Sequence, residues 1–402
     1  MKRSTDRILT THAGSLPRPP RIVELVEGRD QREVLAQQGA AQLIAQAVTD
    51  SVRRQADIGI DVPSDGEMGR VGFSAYVTER LTGFDGPPRA MSPQVERSMF
   101  PEFYEESMAG PTRLRFPACN GPIAWRGPEG IQRDIAMFKS ALEGVWPTDA
   151  FMPAVSPGQI WLNYSNDYYA SDSDFVSAAA TALSNEYRAI VDAGFVLQLD
   201  DPGLAMGWNR AEFAQKSLDD YRRVVEEHVA AINHALDGIP PDRVRLHVCW
   251  GNGEWPHVRD VPLAEIVDLL FEANAEALYV EGANPRHGHE WRVFEEHKLP
   301  PGKVLIPGVI DTVTNFVEHP DLVAERIVRY AQVVGKENVL AGTDCGFGTF
   351  ARSQPRVHPT IAWAKLESLA EGARRASAQL WSGSPSPVAK AQVRRNNETD
   401  SS

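Results

Sequence analysis

Eight short apolar segments that end in polar residues alternate along the chain with stretches of helical spacing. The segments are ILTTHAGSLP, IDVPSDGE, FMPAVSPGQ, FVLQLDDP, VRLHVCWGN, ALYVEGANP, VLIPGVIDT and VLAGTDCGF. Apolar residues recur with helical spacing in 34–58, 173–193, 210–236, 262–273, 321–334 and 360–381. Strands that are apolar along most of their length and alternate with helices are typical of a parallel sheet covered by helices. Eight such units predict an α/β fold of the closed (β/α)8 TIM barrel type.

The remaining segments predict how this barrel is elaborated. Its 402 residues are expected to form a single barrel domain over 1–382. Residues 84–115 are rich in proline, glycine, methionine and charge, and are interpreted as an insertion after the second strand. The apolar piece 116–125 is interpreted as a local strand outside the barrel, before a helix near 131–143. Residues 383–402 lack an apolar pattern and are predicted to be a disordered tail.

Charge, the N-terminal residues and the cysteine content indicate which partners and which cellular compartment to expect. The net charge is −13 with both signs interspersed, so no basic surface for nucleic acid is expected. Residues 1–17 contain no apolar run long enough for a signal peptide or a membrane span, which favours a cytoplasmic protein without a membrane partner. Three cysteines, Cys119, Cys249 and Cys345, do not suggest a disulfide framework. The sequence does not indicate an oligomeric state.

Polar residues are concentrated at the carboxyl ends of the predicted strands, where a parallel barrel carries its active site. They are Ser15, Asp65, Glu67, Asp200, Asp201, His247, Cys249, Glu281, Asp311, Asp344 and Cys345. This concentration favours an enzyme that acts on small molecules over a bare scaffold.

Four of these residues have the side chains of a zinc site. His247 and Cys249 are separated by one residue, so on a strand they point to the same face. An ordinary packed strand would show the same pair. Glu281 and Cys345 come from two further strand ends, and together the four offer nitrogen, sulfur and oxygen ligands for Zn²⁺. Thiolates disfavour Mg²⁺ and Ca²⁺, although a chance grouping at the barrel top remains the alternative.

Other candidate metal ligands have simpler interpretations. Cys119 has no partner pattern and is interpreted as structural. His287 and His289 of the RHGHE stretch lie in a polar loop, and they are either solvated surface residues or supports for the metal ligands.

In their order along the chain, these motifs resemble the cobalamin-independent methionine synthases in their zinc-bearing C-terminal barrel. The resemblance spans roughly residues 7–381. The His-x-Cys, Glu and Cys ligands of that family fall on His247, Cys249, Glu281 and Cys345. Its other motifs fall on Gly14, Ser15 and Pro17, on Gly66, Glu67 and Arg70, and on Gln198, Asp200, Asp201 and Pro202.

The resemblance also implies roles for residues outside the metal site. Ser15 would bind the carboxylate of an amino-acid thiol, and Glu67 and Asp200 would bind its ammonium group. Asp311 matches the acidic residue of the family's catalytic YDIH stretch, but Val313 stands where that stretch has histidine.

The implied function is zinc-dependent alkyl transfer to a small thiol, in which a zinc-bound thiolate attacks an electrophilic carbon. Methyl transfer to homocysteine or a related thiol is the first expectation. The second is opening of an epoxide by coenzyme M, as in the short single-barrel epoxyalkane:coenzyme M transferases, where Arg18, Arg70 or Arg352 could pair with the sulfonate. A metal-free decarboxylase of the uroporphyrinogen type would need basic strand ends, whereas these are acidic. A non-enzymatic zinc protein would more often use closely spaced Cys and His ligands.

Overall fold

A computed structural model describes residues 1–107, 115–352 and 355–382 of the chain; the predicted tail, 383–402, lies outside the described residues. Nine strands are described: β1 Leu9–Thr10, β2 Pro88–Ala90, β3 Arg115–Pro117, β4 Phe151–Val155, β5 Val196–Asp200, β6 Val244–Val248, β7 Ala277–Val280, β8 Val304–Ile310 and β9 Leu340–Thr343. Seven of them form one parallel sheet in the order β1-β9-β8-β7-β6-β5-β4.

The predicted second strand lies between the two edge strands of this sheet. The Val62 N–H donates to the Thr10 carbonyl on the β1 side, at 3.0 Å. The Phe151 N–H of β4 donates to the Pro63 carbonyl, also at 3.0 Å. Every residue of the seven parallel strands is buried, which explains their nearly continuous apolar sequences. The result is a curled parallel sheet with helices, consistent with a TIM-like barrel.

The helices largely match the predicted stretches. They are α1 Pro20–Val26, α2 Gln31–Leu35, α3 Ala40–Ile58, α4 Val77–Arg80, α5 Pro101–Ser107, α6 Glu129–Ala141, α7 Pro157–Asn163, α8 Asp172–Asp192, α9 Gly203–Met206, α10 Leu218–Ala235, α11 Val267–Phe271, α12 Val293–Glu296, α13 Pro320–Val334 and α14 Pro359–Trp381. The helix predicted over 34–58 was wrong at its start, because Gly39 has a left-handed φ of 78° and separates α2 from α3. None of the described helices is long and apolar enough to cross a membrane.

The segment predicted as an insertion contains α5 and a small sheet outside the main one. β2 pairs with β3 in antiparallel orientation, as expected for a local strand. Buried Glu96 anchors the segment, because its Oε1 accepts from the Arg259 N–H at 2.8 Å and its Oε2 accepts from the Tyr104 hydroxyl at 3.2 Å. The Ala211 N–H donates to the Pro93 carbonyl at 2.8 Å. The bonds from Arg259 and Ala211 fasten the segment to the loops that follow β6 and β5.

Candidate metal centre and substrate cavity

Three of the four predicted metal ligands converge at the carboxyl ends of β6 and β9. His247 lies on β6, Cys249 directly follows that strand, and Cys345 comes two residues after β9. A ring nitrogen of His247 and the two Sγ atoms all lie within 4.8 Å of one another, and all three residues are buried. We call these residues the three-ligand cluster.

The spacing within the three-ligand cluster suits a tetrahedral zinc ion. Two sulfurs bound to tetrahedral zinc at about 2.3 Å lie about 3.8 Å apart. The Sγ atoms of Cys249 and Cys345 are 3.9 Å apart. His247 Nδ1 lies 2.8 Å from Asp200 Oδ1, and Nε2 lies 3.4 Å from the Asp344 carbonyl oxygen. A proton on Nδ1, donated to Asp200, would leave Nε2 with a lone pair for a metal. Metal-binding histidines are commonly oriented by such a carboxylate.

Glu281, the predicted fourth ligand, lies beside the three-ligand cluster, and other groups bind its carboxylate. Oε1 accepts from the backbone N–H of Trp250 at 2.8 Å, and Oε2 accepts from the Asn284 amide at 2.6 Å. Burial raises the pKa of Glu281 to about 8, and the positive charge of His287 opposes this shift. Glu281 is not among the residues whose ligand atoms lie within 4.8 Å of one another, so its role as the fourth ligand stays a prediction.

The electrostatics of the site favour a bound cation. The interaction with Cys345, burial, and the nearby charge of Glu281 raise the pKa of the Cys249 thiol well above its ordinary value. Three acidic groups in one buried space repel one another once they are ionised. A metal ion among them would remove this repulsion and favour the thiolates.

Asp344 is a structural anchor of the site whose role sequence reasoning missed. Its Oδ1 accepts from the N–H groups of Gly282 at 2.9 Å and Ala283 at 2.8 Å, and its Oδ2 accepts from the Asn284 N–H at 2.8 Å. These bonds hold the loop that begins with Glu281. The only signal in the sequence was an acidic residue directly before Cys345.

A cavity of about 1400 Å³ opens over the three-ligand cluster. Its walls contain the cluster and all three predicted substrate-binding residues, namely His247, Cys249, Cys345, Ser15, Glu67 and Asp200. Residues far apart in the sequence therefore face one shared space, as the barrel-top prediction requires.

Glu67 carries an unpaired carboxylate oxygen in this cavity wall. Its Oε2 is buried and has no hydrogen-bond partner among residues 1–107, 115–352 and 355–382. Burial raises the pKa of Glu67 to about 8, against the charge of Arg70. The residue has a left-handed φ of 55°, and backbone strain of this kind often accompanies a functional site. Gly14 lies beside it with a φ of 116°, a conformation that favours glycine, and a Cβ there would lie 2.7 Å from Glu67 Oε1.

Asp311, the predicted catalytic residue, is not part of this cavity wall. Its Oδ1 accepts from the Val313 N–H at 3.2 Å, and its Oδ2 accepts from the Thr314 N–H at 2.9 Å and from the Thr314 hydroxyl. The carboxylate therefore stabilises the loop after β8. A catalytic role for Asp311 stays a prediction.

The remaining cysteine and the two loop histidines differ in burial. Cys119 is fully buried and donates weakly to the Gly121 carbonyl at 3.5 Å, consistent with a structural residue. His289 is exposed, whereas His287 is 3% exposed and bonded to two carboxylates. His287 is thus not the solvated surface residue that one interpretation of its loop allowed.

The catalytic-domain sequence model of the cobalamin-independent synthases matches residues 8–89 and 162–363, more than half of the chain. This chain belongs to the cobalamin-independent methionine synthase family. Membership in this methyltransferase family places it among enzymes. Residues 90–161, which include most of the insertion, fall outside the match.

Individual relatives cover nearly the whole chain. The methionine synthase of Saccharolobus solfataricus is 24% identical over 370 residues, which is 91% of this chain and 93% of that protein. A B12-independent methionine synthase from Shewanella sp. W3-18-1, solved in complex with selenomethionine, has a TM-score of 0.72 at 19% identity and matches 94% of this chain and 99% of that one. One from Listeria monocytogenes, described as putative, has a TM-score of 0.63 at 20% identity and covers 92% and 98%. The structural likeness supports the family's fold.

Proposed function

We propose that this member of the family transfers a methyl group to homocysteine or a closely related amino-acid thiol with the help of zinc. The observation that carries the proposal is that the three-ligand cluster lines the same cavity as Glu67, whose carboxyl group has one oxygen without a partner among the described residues. His247, Cys249 and Cys345 would hold Zn²⁺, with Glu281 as the fourth ligand. The ion would lower the pKa of the substrate thiol, so that its sulfur becomes a nucleophile at neutral pH.

The polar residues of the cavity wall could bind the ammonium and carboxylate groups of an amino acid. The free Oε2 of Glu67 would accept a hydrogen bond from the ammonium group. Asp200 adds a second negative charge, although its Oδ1 is already shared by His247 and Gln198. The hydroxyl of Ser15 lines the same cavity and can donate to the carboxylate.

The size of the cavity favours a large methyl donor over a short epoxide. Small-molecule pockets commonly enclose about 300–1,000 Å³, and this one encloses about 1400 Å³. Met91, Arg97 and Phe103 of the insertion line it, and they fall outside the part of the chain matched by the family. We therefore propose that this segment shapes a donor site particular to this chain.

The proposed scaffold is a single (β/α)8 barrel over 1–382. Residues 60–63, the second strand in chain order, would complete its set of eight strands. The backbone bonds of Val62 and Pro63 to the two edge strands support this assignment. The insertion would then follow the second strand, as the family match, which breaks off at residue 89, also suggests.

Zinc-loaded protein is expected to consume homocysteine in the presence of a methylated folate and to form methionine. Coenzyme M with short epoxides should not be consumed, because that pair leaves both the ammonium site and most of the cavity unused. Thiol loss and product formation by mass spectrometry measure both reactions. Turnover of coenzyme M with an epoxide, without turnover of homocysteine, would contradict the proposal.

Glu67→Gln is expected to weaken methionine binding by tenfold or more, since a lost charge-assisted hydrogen bond costs about 1.5–3 kcal/mol.

Glu67 has a pKa of about 8, so binding of an ammonium group should release its proton. Affinity of the intact protein should therefore rise from about pH 5.5 to pH 7.5, where methionine itself does not ionise. The variant should lack this rise.

Calorimetry on zinc-loaded protein measures both the loss of methionine affinity in Glu67→Gln and the rise of affinity with pH in the intact protein. Methionine is the suitable ligand because its thioether has no proton to lose. Coenzyme M, which has no ammonium group, is the control and should bind the variant no less tightly. Equal losses for both ligands would show that Glu67 supports the fold and does not recognise the ammonium.

A further inference from the structure

His287 is a buried cation close to the candidate metal centre. Its Nδ1 lies 2.7 Å from Glu290 Oε2, and its Nε2 lies 3.1 Å from Asp260 Oδ2. A neutral imidazole has only one N–H, but here each nitrogen faces a carboxylate acceptor, so both nitrogens are protonated. Burial disfavours this charge, yet the bonds to Asp260 and Glu290 raise the pKa of His287 to about 10.

The ring of His287 stacks on Trp250, the residue that follows Cys249. Their ring centroids are 4.1 Å apart and their planes differ by 26°. The indole N–H of Trp250 donates to the Val261 carbonyl at 2.7 Å, while its backbone N–H donates to Glu281 Oε1 at 2.8 Å. The residue that holds the Glu281 carboxylate is therefore itself held by the His287 ring.

The same network fixes the loop after Cys249. Asp260 Oδ2 also accepts from His257 Nδ1 at 2.9 Å, and His257 Nε2 donates to the Gly253 carbonyl at 2.9 Å. His257 has a left-handed φ of 52°, a conformation that persists only where surrounding contacts enforce it. The two histidines thus share Asp260 and connect the cavity loop to the interior of the protein.

We propose that His287 is a positioning residue of the metal centre. Its imidazolium fixes Trp250, and through the Trp250 N–H it fixes Glu281, while its charge lies beside a negatively charged ligand set. A neutral side chain at this place would leave Asp260 and Glu290 without their shared donor and would release the indole. The inference rests on the proposed function, because it assumes a metal in the three-ligand cluster.

Cobalt(II) titration followed by absorption tests this role without any assay of turnover. Thiolate-to-cobalt absorption reports both affinity and the ligands around the ion. His287→Gln is expected to bind Co²⁺ about tenfold or more weakly, the effect typical of removing a group that orients a metal ligand. Its spectrum should also change, because Glu281 is no longer fixed. His289→Gln is the control, since this exposed side chain lies in the same loop outside the network.

The outcomes separate this inference from the proposed function. Intact protein that binds no Co²⁺ would refute the metal site itself. Binding by the intact protein, together with unchanged affinity and spectrum in His287→Gln, would overturn only the role of His287. If His287→Gln unfolds, His287→Gln with Glu290→Gln removes one positive and one negative charge together, and Glu290→Gln alone is its reference. Unfolding of both His287 variants would assign His287 to fold stability and would equally overturn the proposal.

Discussion

Cys249→Ser and Cys345→Ser are each expected to lose most of the bound zinc. Intact protein should hold about one zinc ion per chain, with both thiolates among its ligands. The two Sγ atoms lie 3.9 Å apart in the three-ligand cluster, so neither can be replaced by another described cysteine. A serine hydroxyl is a much poorer zinc ligand than a thiolate, because it stays protonated near neutral pH. Elemental analysis after mild chelation and reloading measures the loss.

Cys119→Ser is the matched control for this prediction. Cys119 is also a buried free thiol, but it lies outside the three-ligand cluster. Its replacement should therefore leave the zinc content unchanged. Full zinc content in either cluster variant, or equal loss in all three variants, would contradict the assignment of the metal site.

Asp200→Asn is expected to weaken zinc binding by about tenfold to a hundredfold, the range seen when a carboxylate that orients a metal-binding histidine is removed. Asp200 Oδ1 accepts from His247 Nδ1 at 2.8 Å and from the Gln198 amide at 2.7 Å. An amide at this position lacks the negative charge and can present an N–H to the histidine instead of an acceptor. Competition against a chelator of known affinity measures the change.

Glu67→Gln supplies the comparison for Asp200→Asn. Glu67 lines the same cavity and is also a carboxyl group, but its Oε2 has no partner and no hydrogen bond connects it to His247 among the described residues. Its zinc affinity should therefore equal that of the intact protein. Unchanged zinc affinity in Asp200→Asn would restrict Asp200 to substrate binding, the role that the family resemblance alone implied.

The alternation of short apolar segments with stretches of helical spacing predicted the architecture, and the polar residues at the ends of those segments predicted the face that carries the site. Seven of the eight predicted strand segments form the parallel sheet, and the remaining one, IDVPSDGE, lies between its two edge strands. Strands that are buried on both faces need continuous apolar runs, and such runs can be recognised in the sequence. Two-residue periodicity also placed His247 and Cys249 on one face. Periodicity is a local property, and it is therefore visible in a single sequence.

Only the tertiary structure decided how the side chains of the site are paired. Asp200 bonds to His247 across 47 residues of sequence, and Asp344 holds the Glu281 loop from about 60 residues away. His287 stands in a polar stretch that resembles an exposed loop, yet it is buried between two carboxylates. Hydrogen bonds and ion pairs depend on distances of about 3 Å between atoms of different strands and loops. Local composition carries no information on such distances, so these partners emerge only when the chain is folded.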